Sequence, residues 1–205
     1  MRHIQDYFEK TIVINMAHRT DRWMSCLAQF KKFEFKDVVR FEAHDMKNLG
    51  NHGCTASHRG VLELIRHHRW DRTLVLEDDF QIRHDDFNDR FVSMIGDVPT
   101  NWDILYLGAH YGDENISRVS KHVIRATYIK TTSSYGITHK HASEICPRVG
   151  GGDAIDELYS GFNKTANSYV LSPRLMVQSY GFSDLQQLYT NNALCMEDTR
   201  HENLV

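Results

Sequence analysis

The sequence of 205 residues predicts an α/β protein, a mostly parallel central sheet with helices on both faces. Three features predict it. Short apolar runs alternate with segments of helical period, the pattern of successive βα units. Several of those runs, among them Thr11–Asn15, Thr73–Leu76 and Ile104–Leu107, are apolar at nearly every position, as strands covered on both faces are. One run, Thr73-Leu74-Val75-Leu76, passes straight into three carboxylates, Glu77-Asp78-Asp79. The last residues of buried strands in such sheets face the edge where ligands bind.

In chain order, Thr11-Ile12-Val13-Ile14-Asn15 reads as the first strand. Thr20 then caps a helix whose buried face is Trp23, Met24, Leu27 and Phe30 at helical spacing. Val38–Phe41 forms a second strand, followed by a loop from Lys47 to Gly53. Thr55 opens the next helix, with Val61, Leu62 and Ile65 on its buried face and Trp70-Asp71 at its close. After the acidic strand, Phe87, Phe91, Met94 and Ile95 predict a helix stopped near Gly96 and Pro99, and Trp102–Gly108 predicts another buried strand. The second half is less regular. It offers β-like pieces at Val123–Ile129 and Ser134–Thr138, then a helix over Lys140–Ile145. Arg148–Gly152 reads as a mobile loop, because three successive glycines leave the backbone unconstrained. A helix over Asp153–Gly161 and strand fragments Tyr169–Leu171 and Leu175–Val177, flanking Pro173, complete the chain.

The length fits one domain, given ~100 to 200 residues per domain. Hydrophobic content of 41% with 25% charged residues is that of an ordinary soluble globular chain. A net charge of −3 argues against a general nucleic-acid binder, which needs a basic footprint. His67-His68, His139 and His141 lack zinc-site spacing and read as surface histidines. Cys26, Cys54, Cys146 and Cys195 form no Cys-x-x-Cys pair and read as reduced thiols. The polar start Met1-Arg2-His3-Ile4-Gln5-Asp6 is no signal peptide, and no stretch approaches the ~18 apolar residues of a membrane span. A cytoplasmic protein is expected, with peripheral membrane association left open.

Three adjacent carboxylates at low dielectric repel one another and raise their own pKa values unless a divalent cation or solvent neutralises them. Hard oxygen donors of this kind suit Mn²⁺ or Mg²⁺, which bind a few carboxylates together with substrate phosphates. A bare acidic triplet is equally well a solvated turn, so other segments must decide.

Five segments, the acidic one among them, do so by their order. Val13-Ile14-Asn15-Met16-Ala17-His18-Arg19-Thr20-Asp21-Arg22-Trp23, Gly53-Cys54-Thr55-Ala56-Ser57-His58, Leu74-Val75-Leu76-Glu77-Asp78-Asp79, Trp102–Gly108 and Ser134-Tyr135-Gly136-Ile137-Thr138 follow one another, with Ser183-Asp184 closing the series after Pro173 and Gln178. This succession resembles glycosyltransferase family 25, the group of bacterial lipooligosaccharide galactosyltransferases and collagen galactosyltransferase domains. The resemblance spans residues 11 to 184. It departs from the family pattern at Met16-Ala17-His18, where leucine and polar residues are more usual.

The resemblance implies a GT-A fold, a Rossmann-like nucleotide-sugar-binding sheet with an acidic metal motif. A single GT-A-like domain over residues 1–205 would hold the nucleotide sugar in its first half, to about residue 110, and the acceptor in its second. It further implies inverting transfer of a hexose, galactose or glucose, from a UDP-sugar to a glycan or glycoprotein, with Mn²⁺ or Mg²⁺ as cofactor. Lipopolysaccharide or other glycan biosynthesis would be the setting.

Asp79, furthest out of the strand, is the expected direct metal ligand; strand alternation puts Glu77 on the same side, to hold ribose or assist the metal, while Asp78, also expected at the nucleotide sugar, points oppositely. Asn15, Arg19 and Arg22 are expected at phosphate or uridine, since guanidinium forks match phosphate oxygens. Ser57 and His58 are expected in the first turn of a helix, where free N–H groups favour an anion. Asp156 is the expected catalytic base, with Asp153 second, because both follow the glycine loop; Asp184 is a further metal or acceptor candidate. Each has a plainer reading: surface arginines, a structural histidine, acids at a helix start. Two other functions fit the sequence less closely. One is a non-catalytic sugar-nucleotide-binding module of a glycan-assembly complex, the other a metal-dependent phosphoesterase, for which no second carboxylate cluster is evident.

Overall fold

The computed structural model describes residues 2–46, 51–111, 116–183 and 188–190. Its main sheet contains β1 (Lys10–Asn15), β2 (Val38–Glu42), β3 (Arg72–Glu77), β5 (Ile104–Gly108), β6 (Ser117–Ser120), β7 (Val123–Arg125), β8 (Ser134–Thr138) and β9 (Ser168–Leu171). They lie in the order β2-β1-β3-β8-β5-β9-β7-β6. β1 pairs in parallel with β2 and β3, and β5 pairs in parallel with β9. β8 is antiparallel to both β3 and β5, and β7 to both β9 and β6. Within this sheet, then, β8 and β7 run against the other strands. The expected mostly parallel α/β sheet is what forms.

Alternate residues of each central strand supply two cores, one on each face. Val13, Leu74, Leu76, Leu105 and Leu107 pack with α1 (Thr20–Lys32) and α3 (Phe87–Ile95), through Cys26, Phe30, Phe87 and Phe91. Ile12, Val75, Ile104, Tyr106, Tyr135 and Ile137 pack with α2 (His52–His68), α4 (His139–Ile145) and α5 (Ile155–Asn163). Each fully buried Leu, Ile or Phe on these faces stabilises the fold by about 1.5–3 kcal/mol. A small antiparallel pair, β4 (Phe80–Ile82) with β10 (Met176–Gln178), adjoins the end of β3, and β11 (Gly181–Ser183) pairs with β12 (Leu188–Thr190).

Several expectations shift in detail. α1 starts at Thr20 but its cap residue is Arg19, without a side-chain cap bond. Its phase is rotated: Met24 is 63% and Leu27 40% exposed, while Cys26 is buried. The small Cys26 lets α1 come close to the strand end, where its thiol donates to the Asp78 carbonyl at 3.4 Å. α2 begins three residues before Thr55, at His52, so Gly53 sits inside the helix. A Cβ on Gly53 would meet the His44 carbonyl oxygen at 2.6 Å, which is why glycine stands there. β7 stops at Arg125, short of the Ile129 expected, and β6 was not foreseen because its residues are half or fully exposed. His141 is buried rather than on the surface. After a short 3-10 turn at Cys146–Arg148, Gly151 and Gly152 adopt φ of +86° and +88°, the left-handed region that glycine enters without strain. Among the described residues no helix is long and apolar enough to cross a membrane.

Candidate active site

The pleat of β3 sends its terminal carboxylates to opposite faces. Toward α1, Asp78 is 7% exposed and accepts 2.6 Å hydrogen bonds from Asn15 Nδ2 and from Arg22 Nη1. Asn15, at the end of β1, also donates to the Arg19 carbonyl at 3.2 Å, and its own oxygen accepts from Arg40 Nε at 2.9 Å. Burial pushes the Asp78 carboxyl above its ordinary value, against the pull of Arg22 and the bonds from Arg22 and Asn15.

Toward α2, Glu77 accepts from Thr132 Oγ1 at 2.7 Å and from His58 Nε2 at 3.3 Å. Burial raises this carboxyl, but His58, Thr132 and the Arg22 charge outweigh it and hold the group below its ordinary value. His58 is fully buried, and its Nδ1 lies 2.9 Å from the Tyr135 hydroxyl, which is 3.1 Å from that of Tyr159. Asp79 Oδ2 accepts from Gln178 Nε2 at 2.9 Å and lies 3.3 Å from Arg22 Nη1. Its Oδ1 is buried with no hydrogen-bond partner among the described residues. Burial first, and then the charge of Glu77, push Asp79 up to about 7.

Asp156 stands in the first turn of α5, partly buried. Burial raises it above its ordinary value, and the charges of the neighbouring Glu157 and then of Glu77 add to the effect. The same charges, of Glu77, Asp156 and Asp79, reach the Cys54 thiol, which burial first of all pushes well up. Cys54 Sγ, a His58 ring nitrogen and a Glu77 carboxylate oxygen all lie within 4.8 Å of one another. Cys54, His58 and Glu77 therefore meet at the carboxyl edge of the sheet, near enough to Asp79 and Asp156 for their charges to act on one another.

Other expected residues are placed differently. Ser57 and His58 are not in the first turn of α2, which begins at His52, so they offer no free N–H groups to an anion. Ser57 Oγ instead donates to the Gly53 carbonyl at 2.7 Å and accepts from His44 N–H at 2.8 Å, tying α2 to the chain after β2. Arg19 holds Asp21 with two bonds, Nε at 3.0 Å and Nη2 at 2.9 Å, and this brings Asp21 down to about 2. Asp153 is exposed and precedes α5; its carbonyl accepts from Thr55 at 2.7 Å. Asp184 lies outside the described residues. Thr132 was not singled out from the sequence, Tyr135 was noted only within its motif, and Cys54 only within its motif and as a reduced thiol. Its spacing of four from His58 on one helix face was the available signal. A cleft lined by Ala17, His18, Glu42, Ala43, His44 and Asp45 opens beyond the ends of β1 and β2.

No family model matches the chain. It is 28% identical, over 172 aligned residues, to the procollagen lysyl hydroxylase and glycosyltransferase of Acanthamoeba polyphaga mimivirus. That alignment covers 66% of this chain, which spans about a fifth (19%) of the viral protein's length. Among solved structures, the Drosophila beta-1,4-galactosyltransferase 7 complex with manganese, UDP-Gal and xylobiose gives a TM-score of 0.46 at 8% identity, covering 88% of this chain and 69% of that one. A protein from STIV gives a TM-score of 0.50 at 12% identity, covering 89% of this chain and 94% of its own, and this likeness places the two chains in one α/β fold.

Proposed function

We propose that the chain is a metal-dependent, GT-A-type glycosyltransferase that moves a hexose, galactose or glucose, from a UDP-sugar to a glycan or glycoprotein acceptor. The observation that carries this reading is the carboxylate cluster at the end of β3, where Asp79 keeps a buried oxygen without a partner among the described residues, beside the charge of Glu77. The glycosyltransferase named in the viral relative, and the order of motifs resembling family 25, support it. Residues to about 110 would serve the donor and the remainder the acceptor. The free thiols of Cys26, Cys54 and Cys146 suit the cytoplasmic setting we assign it.

The donor set fits a hard divalent cation, Mn²⁺ or Mg²⁺. Asp79, through its unpartnered Oδ1, and Glu77 would hold it. When bound, the ion supplies Lewis-acid stabilisation to the departing diphosphate. Asn15 and Arg22 fix Asp78 and so set the direction in which the strand end projects. The cleft along His18 and His44 is the natural seat of the nucleoside, since it opens at the carboxyl ends of adjoining parallel strands.

Asp156 is the proposed base. It takes the acceptor hydroxyl proton as that oxygen bonds to the anomeric carbon and the bond from that carbon to the diphosphate oxygen breaks. One displacement inverts the anomeric centre. A carboxylate raised by burial is the stronger base, and such a group contributes ~10² to 10⁴-fold. The deciding experiment is UDP release from UDP-galactose and UDP-glucose with and without Mn²⁺ and acceptor glycans. Turnover that needs metal and acceptor is expected. Metal-dependent UDP-sugar binding without turnover on any acceptor would instead assign a sugar-nucleotide-binding module.

A further inference from the structure

Cys54 and His58 are four residues apart in α2, so they project from one face of the helix toward the end of β3. We propose that Cys54 Sγ, His58 Nε2 and a Glu77 carboxylate oxygen form a binding site for a thiophilic divalent cation, Zn²⁺ foremost, different in ligand chemistry from the hard-cation site at Asp79. The proposal goes beyond the transferase reading and does not depend on it. Thiolate, imidazole and carboxylate are the donors zinc prefers, whereas Mn²⁺ and Mg²⁺ favour oxygen alone.

The geometry agrees. His58 Nε2 and Glu77 Oε1 are 3.3 Å apart, the edge expected of a tetrahedron whose metal bonds are each roughly 2.0 Å long. The three donor atoms lie within 4.8 Å of one another, so roughly an ångström of side-chain rotation at Cys54 closes the set. Glu77 remains 23% exposed, which leaves a solvent side for entry and for a water in the fourth position. Behind the histidine, the Tyr135 hydroxyl at 2.9 Å from Nδ1 fixes the ring, the arrangement that metal-bound histidines use. Binding converts the Cys54 thiol to thiolate, its proton passing to solvent. On binding, the imidazole exchanges the Nε2 proton that bonds Glu77 in the metal-free site for one on Nδ1 donated to Tyr135, so that the Nε2 lone pair meets the metal. Tyr135 can in turn donate to Tyr159 at 3.1 Å. Because Glu77 belongs to both sites, the two cations exclude each other.

Zn²⁺ titrated into the metal-stripped full chain, in competition with a chromogenic chelator, is expected to fill one such site. Co²⁺ in its place should give a sulfur-to-cobalt charge-transfer band. Cys54→Ser should erase the band and weaken Zn²⁺ at least ~100-fold, since even the partners behind metal ligands are worth ~10 to 100-fold. Cys26→Ser and Cys146→Ser should keep both. No charge-transfer band in the wild type, or Zn²⁺ affinity unchanged in Cys54→Ser, overturns the proposal. The wild-type cobalt spectrum decides by itself where a variant does not fold. No sugar donor is present, so failure here leaves the transferase reading standing, and failure of UDP release leaves this site standing.

Discussion

The two faces of the β3 strand end carry the same kind of charge and handle it in opposite ways. Toward α1, Asp78 receives Asn15 and Arg22 at 2.6 Å each, and Asn15 is itself held by Arg40. Toward α2, Glu77 is held by the neutral Thr132 and by His58, while Asp79 is held by Gln178 and by the longer 3.3 Å contact from Arg22. One face is a finished ion-pair network. The other holds Glu77 without a guanidinium of its own, and beside it Asp79 keeps an oxygen without a partner among the described residues. Buried polar atoms are usually satisfied, and the proposed function rests on reading this difference as the place of a ligand.

The largest expected effect tests the finished face. Arg22→Ala removes the cation from two buried carboxylates, and losing one partner of a buried pair costs about 3–5 kcal/mol. Urea unfolding should show that loss in the absence of any nucleotide. Stability within about 0.5 kcal/mol of the wild type would mean that Arg22 is a ligand-binding group held only loosely by the acids. Next comes Asp156→Asn, expected to cut transfer to acceptor at least ~100-fold with donor affinity unchanged. Full activity in that variant, together with its loss in Asp153→Asn, moves the base to the exposed Asp153.

A smaller effect concerns pH. Asp79 holds its proton up to about 7 in the fold, above its ordinary value of 3.8. It therefore adds stability below that ordinary value, and the contribution drains away as the pH rises toward about 7. Stability of the metal-free protein should fall over this window by a component that Asp79→Asn removes. Proton and metal compete for the same oxygens, so Mn²⁺ affinity measured by calorimetry should be about tenfold weaker at pH 6 than at pH 8. Affinity flat across that range would take Asp79 out of the metal site. The smallest effect is at Arg19, whose partner Asp21 is 67% exposed. Arg19→Ala should cost no more than about 1 kcal/mol in thermal unfolding.

The same contrast explains what the sequence disclosed. β1, β3, β5 and β8 were legible because strands buried on both faces leave runs of apolar residues. β6 was not, since Ser117–Ser120 is polar at most positions and half or fully exposed. The phase of α1 was misjudged because Met24 and Leu27 outrank Cys26 in hydrophobicity, while the decision fell to how closely the helix must approach the Asp78 carbonyl. At the site, the acids of β3 announced themselves, as did Asp156 after its glycines. Of their partners, Asn15, Arg22 and His58 stood out in the sequence, and Thr132 and Gln178 did not. Thr132 comes 55 residues after Glu77 and Gln178 comes 99 after Asp79, and a single threonine in a loop or glutamine in a late strand carries no local mark of the acid it will meet.

The position of β8 has a consequence for how the chain is made. β3 is complete at Glu77 and β5 at Gly108, yet the strand that joins them spans Ser134–Thr138 and pairs with both. A ribosome therefore releases two apolar strands with open edges well before the segment that closes them emerges. Unpaired edges of this kind recruit other chains, and pairing distant in sequence is slow to form. A fragment ending before Ser134 should thus aggregate rather than fold, and during synthesis the nascent chain depends on a holdase, or on speed, until β8 slots in.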